Sequence, residues 1–276
     1  MRATPLHREV FKAGSKTYFN SSIFFPADVR DDVFVLYGFV RVADNFVDSI
    51  PQQPEQFHAF VDTYRNAAAG QKTGDTIIDT FVELAREKDF DPAWTDAFLH
   101  SMELDLTKSR HETLDEMLEY VYGSAEVIGL YMSRIMGLDR EADEAATMLG
   151  RAMQVINFIR DIAEDNTLGR VYLPISESSL PDLGEATART NAAEFKRFVR
   201  AQLERYKAWQ AQAERGYSFI PRRYLIPIKT AADMYNWTAE QIAEDPFVVF
   251  RQKVKPARSR IVARAARNAI IRGKGE

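Results

Sequence analysis

The sequence predicts an all-α fold, a single-domain helical bundle with a central cavity. Helix start and stop signals recur along the chain, whereas strand signals are nearly absent. Alternating βαβ patterns and glycine-rich nucleotide fingerprints are missing, which disfavours Rossmann and P-loop enzymes. Two predicted helices each carry a pair of aspartates, four residues apart, among apolar residues. A bundle that turns these polar stripes inward accounts for all three observations.

The bulk composition indicates one globular domain over residues 1–276, because no linker interrupts the chain. A hydrophobic content of 46% leaves ample material for a core. The net charge of −4 argues against nucleic acid as a partner, and the absence of cysteine excludes disulfides and thiolate sites. No signal-peptide core and no run of about 18 apolar residues occurs, so we expect a cytoplasmic protein.

Capping residues predict several helix boundaries. Asp91, followed by Pro92, has the form of an N-cap with proline in the first turn. Residues 113–116 and 191–194 have the form of capping boxes. Residues 166–190, rich in Ser, Pro and Gly, are predicted to form a loop-like flap beside the second aspartate pair.

One predicted helix starts near Asp139 and carries the longer polar stripe. Asn157, Asp161 and Asp165 recur at i, i+4 and i+8, which puts them on one line along the helix. Such a stripe faces either a cavity or solvent. The solvated face is the usual position of an aspartate on a helix.

An upstream helix carries a matching stripe. Tyr37, Arg41, Asp44 and Asp48 are spaced by 4, 3 and 4 residues, which spans about three helical turns. The first two lie inside the otherwise apolar segment 33–42, which disfavours exposure. We therefore expect the two aspartate pairs to face each other across a cavity.

The chemistry of the paired carboxylates predicts a metal site. Carboxylates four residues apart on a helix repel each other, and a bridging cation reverses that effect. A set of oxygen ligands suits Mg²⁺, which binds one or two carboxylates and takes its other ligands from water and substrate phosphates. The two pairs are thus predicted to hold Mg²⁺ around a diphosphate.

These motifs resemble those of the squalene/phytoene synthases, a family of head-to-head prenyltransferases, from about residue 7 to 260. The family has Q-x-x-N-x-x-R-D-x-x-x-D followed by R-x-Y, and Y-x-x-x-R-x-x-D-x-x-x-D. The matching residues are Gln154, Asn157, Arg160, Asp161, Asp165, Arg170 and Tyr172, and Tyr37, Arg41, Asp44 and Asp48. The segment 120–132 is similar to the family's Y-x-Y-x-x-A-x-x-V/I-G, and the segment 14–19 is similar to its Ser-Lys-x-Phe/Tyr.

The resemblance implies an isoprenoid-synthase-type bundle and a role for each matched residue. The catalytic residues are Asp44, Asp48, Asp161, Asp165, Tyr37 and Tyr172, and the metal ligands are Asp44, Asp48, Asn157, Asp161 and Asp165. The diphosphate-binding residues are Ser15, Arg41, Asn157, Arg160, Arg170 and Lys253. The substrate cavity is assigned to Tyr18, Tyr122, Ala125, Gly129, Gln154 and Tyr235. Lys253 matches only with a one-residue insertion and replaces an arginine.

Two segments of the sequence each allow two interpretations. The small and aromatic residues of 120–132 either pack in the core or leave room for a prenyl chain, and Glu126 departs from members that have glycine there. The basic C-terminal helix, about 256–272, is either solvated or docks on anionic lipid. Nine Lys or Arg and no acid lie within 251–274.

The resemblance implies Mg²⁺-dependent head-to-head condensation of two geranylgeranyl diphosphates to phytoene through a cyclopropylcarbinyl diphosphate. The alternatives are a squalene or dehydrosqualene synthase that uses farnesyl diphosphate, a more distant cyclising terpene synthase, and a non-catalytic partner that binds prenyl diphosphates. The sequence names no general base and no oligomeric state.

Overall fold

The computed structural model describes residues 3–14, 22 and 24–270, and this part of the chain is helical. The helices are α1 (Pro5–Gly14), α2 (Ala27–Asp48), α3 (Pro54–Ala68), α4 (Thr76–Glu87), α5 (Pro92–Thr107), α6 (Leu114–Val121), α7 (Val127–Ile135), α8 (Asp143–Arg160), α9 (Ile162–Thr167), α10 (Glu185–Thr190), α11 (Ala192–Glu214), α12 (Arg222–Glu244), α13 (Val248–Arg251) and α14 (Arg258–Ile270). Within the described ranges there is no strand, and one isolated bridge pairs Arg110 with Val171. The all-α prediction is confirmed.

Most of the predicted caps form. The Asp91 side chain accepts a hydrogen bond from the Ala93 amide at 2.9 Å, and the Thr113 hydroxyl accepts one from the Glu116 amide at 3.3 Å. The predicted capping box at 191–194 is wrong. Asn191 instead donates its side-chain amide back to the preceding helix, to the Thr187 carbonyl at 3.0 Å.

The chain between α9 and α11 is more ordered than a flap. It contains a 3₁₀ turn at Ile175–Glu177 and the short helix α10. Leu173, Ile175, Leu180 and Leu183 are buried in it. Because these four apolar side chains are buried, the segment holds the residues that follow α9 against the bundle.

The second polar stripe crosses a helix break. Asp161 ends α8 with φ −99° and ψ 13°, outside helical geometry. Its amide still donates to the Asn157 carbonyl at 2.8 Å, and the Asp165 amide donates to the Asp161 carbonyl at 2.8 Å. The i, i+4, i+8 relation is therefore retained although the helix is interrupted.

A π turn, Tyr122–Glu126, joins α6 to α7. Close glycine contacts surround it, because a Cβ at Gly123 would lie 2.0 Å from the Ala97 carbonyl oxygen, and one at Gly129 would lie 2.1 Å from that of Ala146. Both distances are far inside van der Waals contact, so only glycine lets α5, the π turn, α7 and α8 approach this closely.

Two hydrophobic cores flank the cavity. One gathers around α2 to α5, where the Phe39 and Phe81 rings stack at 3.8 Å between centroids. The other surrounds α8 and α11 and includes the fully buried Phe195 and Tyr206. The C-terminal helix α14 packs on α12, where Asn268 donates to Asp233 at 2.9 Å. Among the helices of the described ranges, none combines the length and apolarity that a bilayer crossing needs.

Candidate active site

Two adjoining chambers lie inside the bundle. One is mainly polar, with a volume of about 490 Å³, and the other is mainly apolar, with a volume of about 320 Å³. Six residues line both chambers, namely Tyr37, Val40, Ser124, Ile128, Gln154 and Asn157. The chambers therefore meet at this collar, and a molecule with a charged head and an apolar tail fits across it.

All four predicted aspartates line the polar chamber. Asp44 and Asp48 come from the end of α2, Asp161 comes from the break between α8 and α9, and Asp165 comes from α9. The end of α2 and the segment that joins α8 to α9 thus face each other, with both aspartate pairs turned inward. The predicted juxtaposition of the stripes is the arrangement that the structure has.

Arginines accompany the aspartates as the motifs predicted. Arg41 forms an ion pair with Asp44, and the Arg160 Nε donates to Asp161 Oδ1 at 2.8 Å. These guanidinium groups offset part of the acidic charge. Each is also placed to meet phosphate oxygens in the same chamber.

Arg170 lies deepest among these cations and is only 4% exposed. Its Nη1 donates to Asp48 Oδ1 at 2.6 Å and to the Tyr172 hydroxyl at 3.2 Å, and its Nη2 donates to the Val47 carbonyl at 2.5 Å. Burial acts to lower the pKa of Arg170, but Tyr172, Asp105 and Asp48 raise it. Its charge is therefore permanent.

The arginines do not fully offset the negative charge of the carboxyl groups in the polar chamber. Burial, reinforced by the charge of Asp48, raises the pKa of Asp44 to about 7. Burial and the charges of Asp161 and Glu164 raise the pKa of Asp165 to about 8. The raised pKa values mean that the chamber resists holding all its carboxyls ionised without a further positive charge.

The oxygen donors of the polar chamber fit Mg²⁺. The Asn157 Oδ1 is buried and has no hydrogen-bond partner among the described residues, and it extends the line of Asp161 and Asp165 oxygens. Within residues 3–14, 22 and 24–270, no three His or acidic side chains converge on one point. An ion here would thus have few protein ligands and would need phosphate or water oxygens, which is how Mg²⁺ binds.

The mouth of the polar chamber carries residues from the C-terminal part of the chain. Lys253 lies there, with its Nζ 3.3 Å from Asp161 Oδ1 and an ion pair to Glu164. Lys255 also lines the chamber, and burial together with the charges of Lys253 and Arg160 lowers its pKa. Sequence reasoning proposed Lys253 and missed Glu164 and Lys255.

Sequence reasoning also missed Asp105, a buried carboxylate of α5 in the same chamber. It accepts hydrogen bonds from the hydroxyls of Tyr120 and Tyr172, each at 2.7 Å. Burial raises the pKa of Asp105 to about 6, although Arg170 opposes the shift. Its signal in the sequence was an isolated acid between Leu104 and Leu106.

The predicted cavity residues divide between several places. Ala125 and Gly129 line the apolar chamber, Gln154 lies at the collar, and Tyr235 lines the polar chamber. The assignment of Tyr122 is wrong, because this side chain is 42% exposed and lines neither chamber. Successive helical residues are rotated by about 100°, so a residue two positions after an inward-facing one points away. The predicted Ser15 and Tyr18, and the neighbouring Lys16, lie outside the described residues.

Comparison with known proteins agrees with this architecture. The family model Squalene/phytoene synthase matches residues 11–260. The 15-cis-phytoene synthase of Pantoea ananas is 30% identical over 242 residues, which cover 83% of this chain and 78% of the relative. That of Paracoccus sp. (strain N81106 / MBIC 01143) is 28% identical over 265 residues, covering 91% and 86%.

Solved structures share the fold. A dehydrosqualene synthase in complex with ligand superposes with a TM-score of 0.83 at 20% identity, covering 95% of this chain and 93% of that one. The squalene synthase HpnC from Alicyclobacillus acidocaldarius gives a TM-score of 0.78 at 21% identity, covering 87% and 93%. Motifs, fold and relatives agree, and the chain belongs to the squalene/phytoene synthase family of prenyltransferases.

Proposed function

We propose that this protein condenses two molecules of geranylgeranyl diphosphate head to head and forms phytoene in a Mg²⁺-dependent reaction. The observation that carries the proposal is the pair of joined chambers, one with two facing aspartate pairs and one apolar. The similarity to several phytoene synthases supports the same product class. A prenyl diphosphate matches both chambers, with its diphosphate among the charges and its chain in the apolar space.

In this proposal the metal ligands are Asp44, Asp48, Asp161, Asp165 and Asn157. Bound there, Mg²⁺ supplies Lewis-acid stabilisation of the departing diphosphate. Arg41, Arg160 and Arg170 bind phosphate oxygens, with Lys253 at the mouth. Their fixed positions favour the charge of the leaving group without reorganisation of solvent.

The first step breaks the C1–O bond of one substrate, and the electron pair leaves with the diphosphate. The double bond of the second substrate attacks the allylic cation, and loss of a proton closes a cyclopropane ring. The cyclopropylcarbinyl diphosphate then ionises, rearranges and loses a second proton to give phytoene. Apolar walls, such as those at Val40, Ile128 and Met153, keep water from quenching the cations.

A second candidate is a squalene or dehydrosqualene synthase that uses farnesyl diphosphate. Two solved structures of the same fold have these titles, which supports the alternative. Both candidates share the aspartate chamber, so chain length and the need for a reductant separate them. A non-catalytic binding partner is disfavoured because it has no need of two complete aspartate pairs.

The test incubates purified protein and Mg²⁺ with geranylgeranyl or farnesyl diphosphate, with and without NADPH, and measures diphosphate release and hydrocarbon products. We expect phytoene from the longer substrate whether or not NADPH is present. Exclusive use of farnesyl diphosphate, or a hydrocarbon that forms only with NADPH, favours the second candidate. Binding of substrate without diphosphate release overturns the enzymatic proposal.

A further inference from the structure

A hydrogen-bond network of three side chains lies in the wall of the polar chamber. At its centre Asp105, 6% exposed, accepts the hydroxyl hydrogens of Tyr120 and Tyr172 on its two carboxylate oxygens, both at 2.7 Å. Gln52 donates to the Asp105 backbone carbonyl at 2.7 Å and fixes that turn of α5. The network therefore leaves the two phenolic hydrogens no freedom to rotate.

The two tyrosines belong to an aromatic wall of the chamber. The ring centroids of Tyr120 and Tyr172 are 5.0 Å apart, and Phe158 stacks on Tyr172 at 4.5 Å. All three rings line the polar chamber, and Phe158 directly follows the collar residue Asn157 in the sequence. In the proposed function the cation forms in this chamber, so these rings are part of the wall that it faces.

The direction of a hydroxyl decides its effect on such a cation. A phenol that turns its hydrogen away presents oxygen lone pairs, which stabilise positive charge, whereas the reversed phenol presents a hydrogen and destabilises it. A fixed orientation needs no reorganisation at the moment of ionisation. Burial raises the pKa of both phenols well above the ordinary value, which favours their protonated form.

We infer that Asp105 is a positioning residue for ionisation, which holds the oxygen atoms of Tyr120 and Tyr172 toward the substrate cation by accepting both of their hydrogens. The inference rests on the proposed function, since it assumes that an allylic cation forms in this chamber. It assigns a hydroxyl to the reacting carbon chiefly at Tyr120, because the Tyr172 oxygen also accepts a hydrogen bond from Arg170 Nη1 at 3.2 Å.

The substitution Asp105→Asn tests this role with little change of shape. The amide oxygen accepts one phenol, but the amide nitrogen only donates, so the second phenol must reverse its hydrogen. We expect the single-turnover rate of diphosphate release from geranylgeranyl diphosphate and Mg²⁺ to fall by about 10²-fold, the scale for loss of one preorganised dipole. KM should stay within about twofold, because ground-state binding is untouched.

Glu126→Gln is the matched control. Glu126 is also a buried carboxylate, 4% exposed and 2.6 Å from Arg151 Nε, but neither residue lines a chamber. Removal of its charge should lower the melting temperature and leave turnover unchanged. If Asp105→Asn lowers turnover no more than Glu126→Gln, the inference is overturned.

A double-mutant cycle separates the positioning role from a structural one. Tyr120→Phe keeps the ring and should lower the ionisation rate by about tenfold at unchanged KM. Because Asp105 acts through Tyr120, the double variant should lose less than the product of the single losses. Independent losses, or wild-type rates in Tyr120→Phe, contradict the role even where Asp105→Asn fails to fold. Absence of release by the wild-type protein overturns the proposed function itself.

Discussion

The Arg170 guanidinium lies 2.6 Å from the Asp48 carboxylate, although 122 residues separate them in the sequence. Arg170 lies in the segment after α9, and Asp48 is the last residue of α2. This contact joins the two halves of the polar chamber through a side chain that is 5% exposed. The site is therefore assembled by a buried charge contact as well as by packing of the helices.

The first prediction concerns this joint. Arg170→Met leaves Asp48, Asp105 and the Val47 carbonyl without their cationic donor, so we expect a loss of about 3–5 kcal/mol in the free energy of unfolding. Turnover should fall to background. Arg189→Met is the control, since its ion pair with Glu185 is exposed and is worth about 0–1 kcal/mol. If chemical denaturation showed equal losses of stability in the two variants, the Arg170–Asp48 contact would not join the two halves of the chamber.

The second prediction follows from the raised pKa values of Asp44, about 7, and Asp165, about 8. The folded protein binds protons more tightly than the unfolded chain at these groups. Stability of the metal-free protein should therefore fall as pH rises from about 4 to about 8, by up to about 1.4 kcal/mol per pH unit for each group.

Thermal melting in EDTA between pH 5 and 8.5 measures this slope. Asp165→Asn removes one of the titrating groups, so it should flatten the slope and raise the melting temperature at pH 8, while it abolishes turnover. A metal-free melting temperature that rises with pH, or a variant less stable than the parent at pH 8, would count against the electrostatic account.

The third prediction concerns metal dependence. We expect EDTA to abolish turnover and Mg²⁺ to restore it, because the chamber offers oxygen ligands only. A readout independent of catalysis is the melting temperature, which should rise when Mg²⁺ and inorganic diphosphate are added together at pH 8. Asp165→Asn should lose most of that rise. Full turnover after thorough chelation would exclude the metal site.

Local periodicity predicted the aspartate chamber because the two aspartates of each pair are four residues apart, a relation that the break between α8 and α9 at Asp161 retains. Asp44 with Asp48, and Asp161 with Asp165, need only the helical repeat to share a face. Asp105 was missed because its partners, Tyr120 and Tyr172, come from α6 and from the segment after α9, and no other acid of α5 lies three or four residues from it. Tertiary packing, which one sequence does not encode in a readable form, decides such a contact.

The error at Tyr122 has a related cause. The family pattern has two tyrosines two positions apart, and helical rotation allows only one of them to face the chamber. Tyr120 does so, at 4% exposure. The π turn that begins at Tyr122 has no capping signal of its own, so the sequence did not mark the change of face.

The fourth prediction concerns the glycine contacts around this turn. Gly129→Ala puts a Cβ 2.1 Å from the Ala146 carbonyl oxygen, a backbone atom that cannot yield. We expect a loss of about 1–3 kcal/mol in the free energy of unfolding, from overpacking. Gly184→Ala is the control, because its nearest neighbour is the flexible Asp182 side chain at 3.0 Å. Equal stability of both variants would refute the close packing of α7 on α8.

The last prediction concerns chain length. Along α8 and the turn before it, residues that line the apolar chamber run from Asn157, at the collar, to Ala142. These two positions are fifteen residues apart, which at a rise of 1.5 Å per residue corresponds to about 22 Å. A geranylgeranyl chain reaches farther along this path than a farnesyl chain, so a residue at the far end contacts only the longer one.

Ala142→Leu should therefore select against the longer substrate. Ala142 is 4% exposed and lines the apolar chamber. Three added carbons at the far end should lower kcat/KM for geranylgeranyl diphosphate by at least about tenfold and leave that for farnesyl diphosphate nearly unchanged. Ala186→Leu, on the exposed face of α10, should change neither value. Because overall destabilisation would lower both values together, an equal loss for the two substrates would mean that this end of the chamber does not bind the prenyl chain.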